Sequence, residues 1–226
     1  MPPTIKISDR TNPFWKQVII YRGQSWGHLD PTDEIFDFFA SMSEYVEVKE
    51  ILEFGTNSCF SSMMQLEVHP NATITTFDPT AWRVESGVKD KSYMASLPVG
   101  EIRMPDVAKF YYGDRFLFRR DKSTNIKSYV SRFPDNGVGK YDYAFVDGDH
   151  SYEVAKADIQ NCLDLDIEYI IVDNLVMYPE VTKAVAYFVD LNLIEEVKRI
   201  KYNQTHPTEG TQNEEHMGLY KKKNVS

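Results

Sequence analysis

Tyr141-Asp142-Tyr143-Ala144-Phe145-Val146 runs without a break into Asp147-Gly148-Asp149-His150 and then Ser151-Tyr152-Glu153. The first six residues are a short aromatic and apolar run of strand length, and the four after them are acidic, small and turn-forming. Ala155, Ile159, Cys162 and Leu163 then recur at helical spacing. Glu168–Val172 is a second apolar run of strand length, closed by Asp173-Asn174, and the segment beyond it sets Val181, Val185, Phe188 and Val189 on one helical face. Strand, polar loop, helix, strand and helix in that order imply parallel strands joined by crossovers.

The same alternation extends outward in both directions. Upstream, Ile51–Gly55 reads as a buried strand, Phe60–Val68 as a helix and Ala72–Phe77, rich in Thr and Ile, as a strand. Between 80 and 113 the pattern is weakest: Asp106–Tyr112 reads as a short helix closed by Gly113, and Arg115–Arg120 as a strand. Asn125–Phe133 is helical, with Ile126, Tyr129, Val130 and Phe133 on one side, and residues 134–139 form a turn. Before the first strand, Asp30 is placed to cap a helix with Pro31 in its first turn, and Ile35, Phe38, Phe39, Met42, Tyr45 and Val46 form its stripe. Downstream, Ile194–Tyr202 and Met217–Lys222 are two strands joined by a polar loop; with no helix between them they must be antiparallel. The expectation is one α/β domain over residues 31–226: a Rossmann-like, mainly parallel sheet with helices on both faces and a C-terminal antiparallel hairpin. Residues 1–30, aromatic and aperiodic, are read as an arm or lid.

The chain has 226 residues, 25 basic against 34 acidic, for a formal charge of −9. With a pI near 5.1, a protein that grips nucleic acid by bulk electrostatics is disfavoured. Cys59 and Cys162 are the two cysteines, with no metal-ligand spacing, so neither a disulfide framework nor a zinc site is indicated. No stretch approaches the roughly 20 apolar residues of a membrane span. These features suggest a cytoplasmic protein, and leave both a monomer and a homo-oligomer open.

In parallel sheets ligands bind at the carboxyl ends of the strands, where the strand order reverses. Those ends read Glu53-Phe54-Gly55-Thr56-Asn57-Ser58, Asp78, Asp147-Gly148-Asp149-His150 and Asp173-Asn174. Singly, each acid is no more than a turn or cap residue; four on one rim suggest a site. Gly55 permits close backbone approach, and Asp78, about 20 residues beyond the loop, is placed to bind a ribose diol. The loop lacks the glycine fingerprint of dinucleotide sites and the lysine of a P-loop, so loop and acid together point to another adenosine-containing ligand.

From about Lys49 to Lys222, the Glu53-x-Gly55 loop, Asp78, the seven-strand alternation and the terminal hairpin resemble the class I S-adenosylmethionine-dependent methyltransferases. The string from Phe145 to Glu153, with Asp158 and then Ile170-Ile171-Val172-Asp173-Asn174, is similar to the metal-dependent O-methyltransferases acting on sugars of macrolide and aminocoumarin antibiotics. The resemblance implies S-adenosylmethionine as cofactor, held by Glu53, Gly55, Thr56, Asn57, Ser58 and Ser62 at the methionine end, by Asp78 at the ribose, by Asp121 near the adenine, and by Asp147. It further implies Mg2+ on Asp147, Asp173 and Asn174, Asp149 as general base, His150 as a supporting or alternative base, and a small hydroxylated molecule as methyl acceptor. Two positions depart from the pattern: Cys59 stands where relatives usually carry a second glycine, and Asn174 where an acid is usual. They favour the alternative, a catalytically inactive binding or assembly protein on the same fold; a nucleotide-dependent oxidoreductase would need the missing glycine fingerprint.

Overall fold

The computed structural model describes residues 33–57, 59–79, 83–84, 102–132, 140–205 and 212–224. The proposed arm, the capping pair Asp30 and Pro31, Ser58, Phe133 and the 134–139 turn lie outside the described residues. Seven strands form one sheet: β1 (Glu50–Phe54), β2 (Thr73–Phe77), β5 (Phe116–Arg119), β6 (Tyr143–Val146), β7 (Tyr169–Val172), β8 (Ile194–Thr205) and β9 (Gln212–Lys222). A separate two-residue ladder pairs β3 (Arg83–Val84) with β4 (Ile102–Arg103). The helices are α1 (Asp33–Ala40), α2 (Phe60–Val68), α3 (Met104–Tyr112), α4 (Ile126–Arg132), α5 (Tyr152–Asp164) and α6 (Pro179–Asp190).

The sheet order is β5-β2-β1-β6-β7-β9-β8, parallel from β5 to β7 and antiparallel at β9. The expected mainly parallel, seven-stranded Rossmann-like sheet with its closing hairpin is therefore what the chain forms. The order reverses between β1 and β6, whose ends meet at the register pair Phe54↔Val146.

Side chains alternate strictly between two cores. Tyr143 and Phe145 of β6 and Tyr169 and Ile171 of β7 join α1, α2 and α3 on one face; Ala144, Val146, Ile170 and Val172 join α4, α5 and α6 on the other. Strands covered on both sides need apolar residues at every position, which is why they read as unbroken apolar runs. Phe145 is fully buried and meets Phe39 of α1 edge-on, with ring centroids 5.3 Å apart. Burial of such a ring stabilises by about 2–3 kcal/mol.

Two elements differ from the expectation. The first helix stops at Ala40 and tightens into a 3₁₀ turn, Ser41–Glu44, because the Ser41 hydroxyl donates to Phe38 O at 2.8 Å and competes with helical bonding. Val46 and Tyr45 remain packed against the core through that turn, Tyr45 lying 5.6 Å from the Tyr169 ring. The hairpin is longer than its apolar content suggests: β8 continues to Thr205 and β9 begins at Gln212, so Asn203↔Glu214 and Tyr202↔Glu215 are paired. The ladder is continued there by backbone pairing through polar residues, which no hydrophobic pattern reveals.

Candidate active site

Gly55 sets the geometry at the strand-order reversal. Its φ is +95°, and a Cβ there would lie 1.9 Å from the Asp147 carbonyl oxygen. Only glycine lets the β1 and β6 ends approach this closely. Gly55 N donates to Phe77 O at 2.9 Å and Asp147 N to Phe54 O at 2.9 Å, so the three strand ends are tied to one another. The loop then alternates through Asn57 (φ 41°) and Cys59 (φ 64°), both left-handed. Cys59 thus adopts, at the residue preceding α2, the conformation that a glycine would adopt without steric cost. Asn57 N donates to Asp78 Oδ2 at 2.8 Å, which holds the acid at the end of β2 against the first loop.

Glu53 has 0% exposure, and its carboxylate accepts hydrogen bonds from Ser61 Oγ at 2.6 Å, Ser62 Oγ, Thr76 Oγ1 and Gln65 Nε2 at 3.2 Å. Thr56 Oγ1 lies 2.6 Å from Thr76 Oγ1 and completes the set. Burial pushes the Glu53 carboxyl up to about 7, even though the Ser61, Ser62 and Thr76 hydroxyls pull the other way. Glu53, Thr56 and Ser62 are therefore one buried polar cluster behind the loop.

Beside it opens a cleft of about 470 Å³, within the usual range for a small-molecule site. Gly55, Asn57 and Asp78 line it from the first two strands; Asp147, Gly148, Asp149 and His150 line it from the β6 loop. Lys122, Ser123 and Thr124 close one side and Tyr178 another. Asp121 is not among the lining residues: its Oδ1 accepts from Lys122 N at 2.8 Å and Asn125 Nδ2 at 2.7 Å, fixing the turn that presents them.

The β6 loop carries most of the ionisable groups. His150 stacks on Tyr178, centroids 3.8 Å apart with 22° between planes, and its Nε2 is 3.5 Å from Asp147 Oδ1. Burial raises the Asp147 pKa, while His150 draws it back and Glu215 adds to the rise. Asp149 is exposed, and its Oδ1 accepts from Ser151 N at 2.8 Å; that amide holds its pKa below the ordinary carboxylate value. Behind the loop Asp158 of α5 has 0% exposure, and burial lifts it to about 7.

Asp173 and Asn174 end β7 outside the cleft lining. Asp173 Oδ1 accepts from the Tyr202 hydroxyl at 2.5 Å, and burial together with the Asp147 charge keeps its pKa well above the usual range. Asn174 has φ 61°. Glu215 of β9, fully buried, accepts from Val176 N at 2.7 Å, Met177 N at 2.9 Å and His216 N at 2.8 Å. Among the described residues no group of three or more His, Cys, Asp or Glu side chains is arranged to hold a metal ion. Asp147, Asp173 and Asn174 supply two carboxylates and an amide, and one carboxylate oxygen is already engaged by Tyr202.

Tyr178, Tyr202, Glu215 and the Lys122–Thr124 turn were not singled out from the sequence. Tyr178 follows a strand end by six residues, close enough for a search of loop aromatics to find it. Glu215 and Tyr202 depend on the hairpin's insertion beside β7, for which local sequence carries no signal.

No protein-family model matches the chain, and no curated protein matches it by sequence. Solved structures do match. Cofactor-bound Rv0187 from MTB aligns with a TM-score of 0.59 and 13% identity over 92% of this chain and 89% of that one. An O-methyltransferase from Bacillus cereus in complex with SAH gives 0.57 and 14% over 92% and 88%. Precorrin-6y C5,15-methyltransferase from Geobacter metallireducens gives 0.50 and 15% over 88% and 93%. At such identities the likeness establishes a shared Rossmann-like fold.

Proposed function

We propose that this protein is an S-adenosylmethionine-dependent methyltransferase that methylates a hydroxyl of a small molecule, the acceptor being a sugar or sugar conjugate. The observation that carries the reading is the fixed pair at the strand-order reversal, Gly55 packed on the Asp147 backbone and Asp78 clamped by Asn57 N, on the rim of one cleft. An acid held in that place suits a ribose diol, and the fold shared with methyltransferases, one of them solved with SAH, supports the same ligand. The acidic rim also suits a sulfonium. The sugar assignment rests on the resemblance of the Phe145–Glu153 string.

When bound, S-adenosylmethionine would give its methyl group to the acceptor oxygen and leave as S-adenosylhomocysteine, and the acceptor proton would pass to a base. Asp149 is that base in this proposal, exposed on the cleft and oriented by Ser151 N; His150, braced by Tyr178 and Asp147, is the alternative. The protein's main contribution is alignment. The Mg2+ implied by resemblance would fall to Asp147, Asp173 and Asn174, two carboxylates and an amide, and no step is routed through it. Calorimetric titration with S-adenosylmethionine and S-adenosylhomocysteine tests the reading. Saturable binding of both is expected; failure of both at millimolar concentration would overturn it in favour of an inactive assembly protein.

A further inference from the structure

Asp158 is a buried acid that this chemistry leaves unused. Among the described residues neither of its oxygens has a hydrogen bond, and its side chain has no exposed surface. A carboxyl left unpaired in the interior costs stability, so its place needs a reason. It lies directly under the cleft: Oδ2 is 3.3 Å from the point where a side chain on Gly148 would begin, and Gly148 lines the cleft. Three residues further along α5, on the same helical face, Asn161 Nδ2 donates to Ser123 O at 3.4 Å and ties the Ser123–Asn125 turn to the helix. The Ser123 hydroxyl bears on Asp158 closely enough to lower its pKa against the effect of burial. Ser123 itself lines the cleft, with the apolar side chains of Phe77 and Val154 also on its wall.

We propose that Asp158 is a positioning residue for recognition of the cofactor's base: with the base bound it accepts a hydrogen bond from the Ser123 hydroxyl, which keeps its proton, so that a lone pair of Ser123 Oγ faces the cleft and receives the exocyclic amino group of a 6-aminopurine. The acid has no exposed surface and does not touch the ligand; it acts through Ser123. A 6-oxopurine would set a second acceptor against that oxygen and be refused. The inference rests on the S-adenosyl reading of the cleft and deepens it, naming the atom that selects the base.

The experiment compares S-adenosylhomocysteine with its 6-oxo analogue, S-inosylhomocysteine, by calorimetry on the full chain and on Ser123→Ala, Asp158→Asn and Asp158→Leu. The wild type should favour the amino compound by about tenfold or more, as expected for one hydrogen bond made in one case and replaced by repulsion in the other. Both kinds of variant should reduce that ratio to near one while retaining measurable binding. Equal binding of the two compounds by the wild type overturns the inference and leaves the methyltransferase reading standing, as does a ratio unchanged in Ser123→Ala and in Asp158→Asn. Absence of binding by either compound overturns the methyltransferase reading, and this inference with it. If an Asp158 variant fails to fold, Ser123→Ala, a substitution on a partly exposed turn, decides the question alone.

Discussion

Glu53 on β1 and Asp173 after β7 are carboxylates of nearly equal burial, 0% and 2% exposed, yet their neighbours differ in kind. Glu53 takes its hydrogen bonds from neutral donors, two serines, a threonine and a glutamine on α2 and β2, and the Asp147 charge is the smallest of the causes that act on its pKa. Asp173 has the Tyr202 hydroxyl, but the groups that raise its pKa include the like charges of Asp147 and Glu215. The first arrangement supplies the acid's hydrogen bonds and makes it part of the scaffold that holds the Gly55 loop. The second sets acids against one another near the cleft, where they favour a cation or a proton. A buried acid therefore informs on function through the charge of its partners more than through its depth.

The comparison breaks most completely if the two neighbourhoods are forced apart. Gly55→Ala places a Cβ 1.9 Å from the Asp147 carbonyl in a left-handed conformation, and should cost about 3 kcal/mol or more. Chemical denaturation should show that loss, and calorimetry should show no cofactor binding. Asp78→Ala, which removes the acceptor of Asn57 N and the proposed ribose partner, should weaken S-adenosylhomocysteine binding about 100-fold, two charge-assisted hydrogen bonds being lost. An unchanged Kd would remove Asp78 from the site.

Protonation sharpens the contrast. The Glu53 pKa is raised from 4.5 to about 7 in the folded protein, so the folded state binds its proton more tightly than the unfolded chain does. The associated stability is complete below about pH 4.5 and is lost as pH rises through about 7, a loss on the order of 3 kcal/mol. Glu53→Gln should flatten this part of the melting temperature profile between pH 5 and 8. Asp158, raised in the same direction, contributes a drift of the same sign in both proteins, so the difference between them is the quantity to measure. The smallest effect is expected from Tyr202→Phe. It removes the donor to Asp173 and should cost about 1–2 kcal/mol, without altering S-adenosylhomocysteine affinity.

The fold was legible wherever burial on both faces demanded apolar runs, as in Tyr143–Val146 and Tyr169–Val172. The rim was legible too, because strand ends locate it: Gly55, Asn57, Asp78, Asp147, Asp149 and His150 all line one cleft. Roles were harder to read. Glu53 and Asp147 look alike as acids on adjacent strands, and only the register of Ser61, Ser62 and Thr76 against one of them separates the two. Asp121 lies one residue before the lining it was expected to join, since it caps the turn that presents that lining. Glu215 lies in a polar part of the hairpin that carries no periodic signal, Tyr202 at the end of a strand that was read, and the part of both depends on β9 pairing with β7 some 50 residues away in sequence.

That hairpin also bears on the order of assembly. β9 is seated inside the sheet, between β7 and β8, and Glu215 caps the Val176 and Met177 amides. During synthesis all six described helices and the parallel strands can emerge before residue 212, while the edge of β7 and those two amides wait for β9. A ribosome paused before that point would hold a nascent chain with an open, apolar strand edge and an unfinished rim, a state prone to mispairing. Completion of β9 is thus the step at which the open edge of β7 is closed.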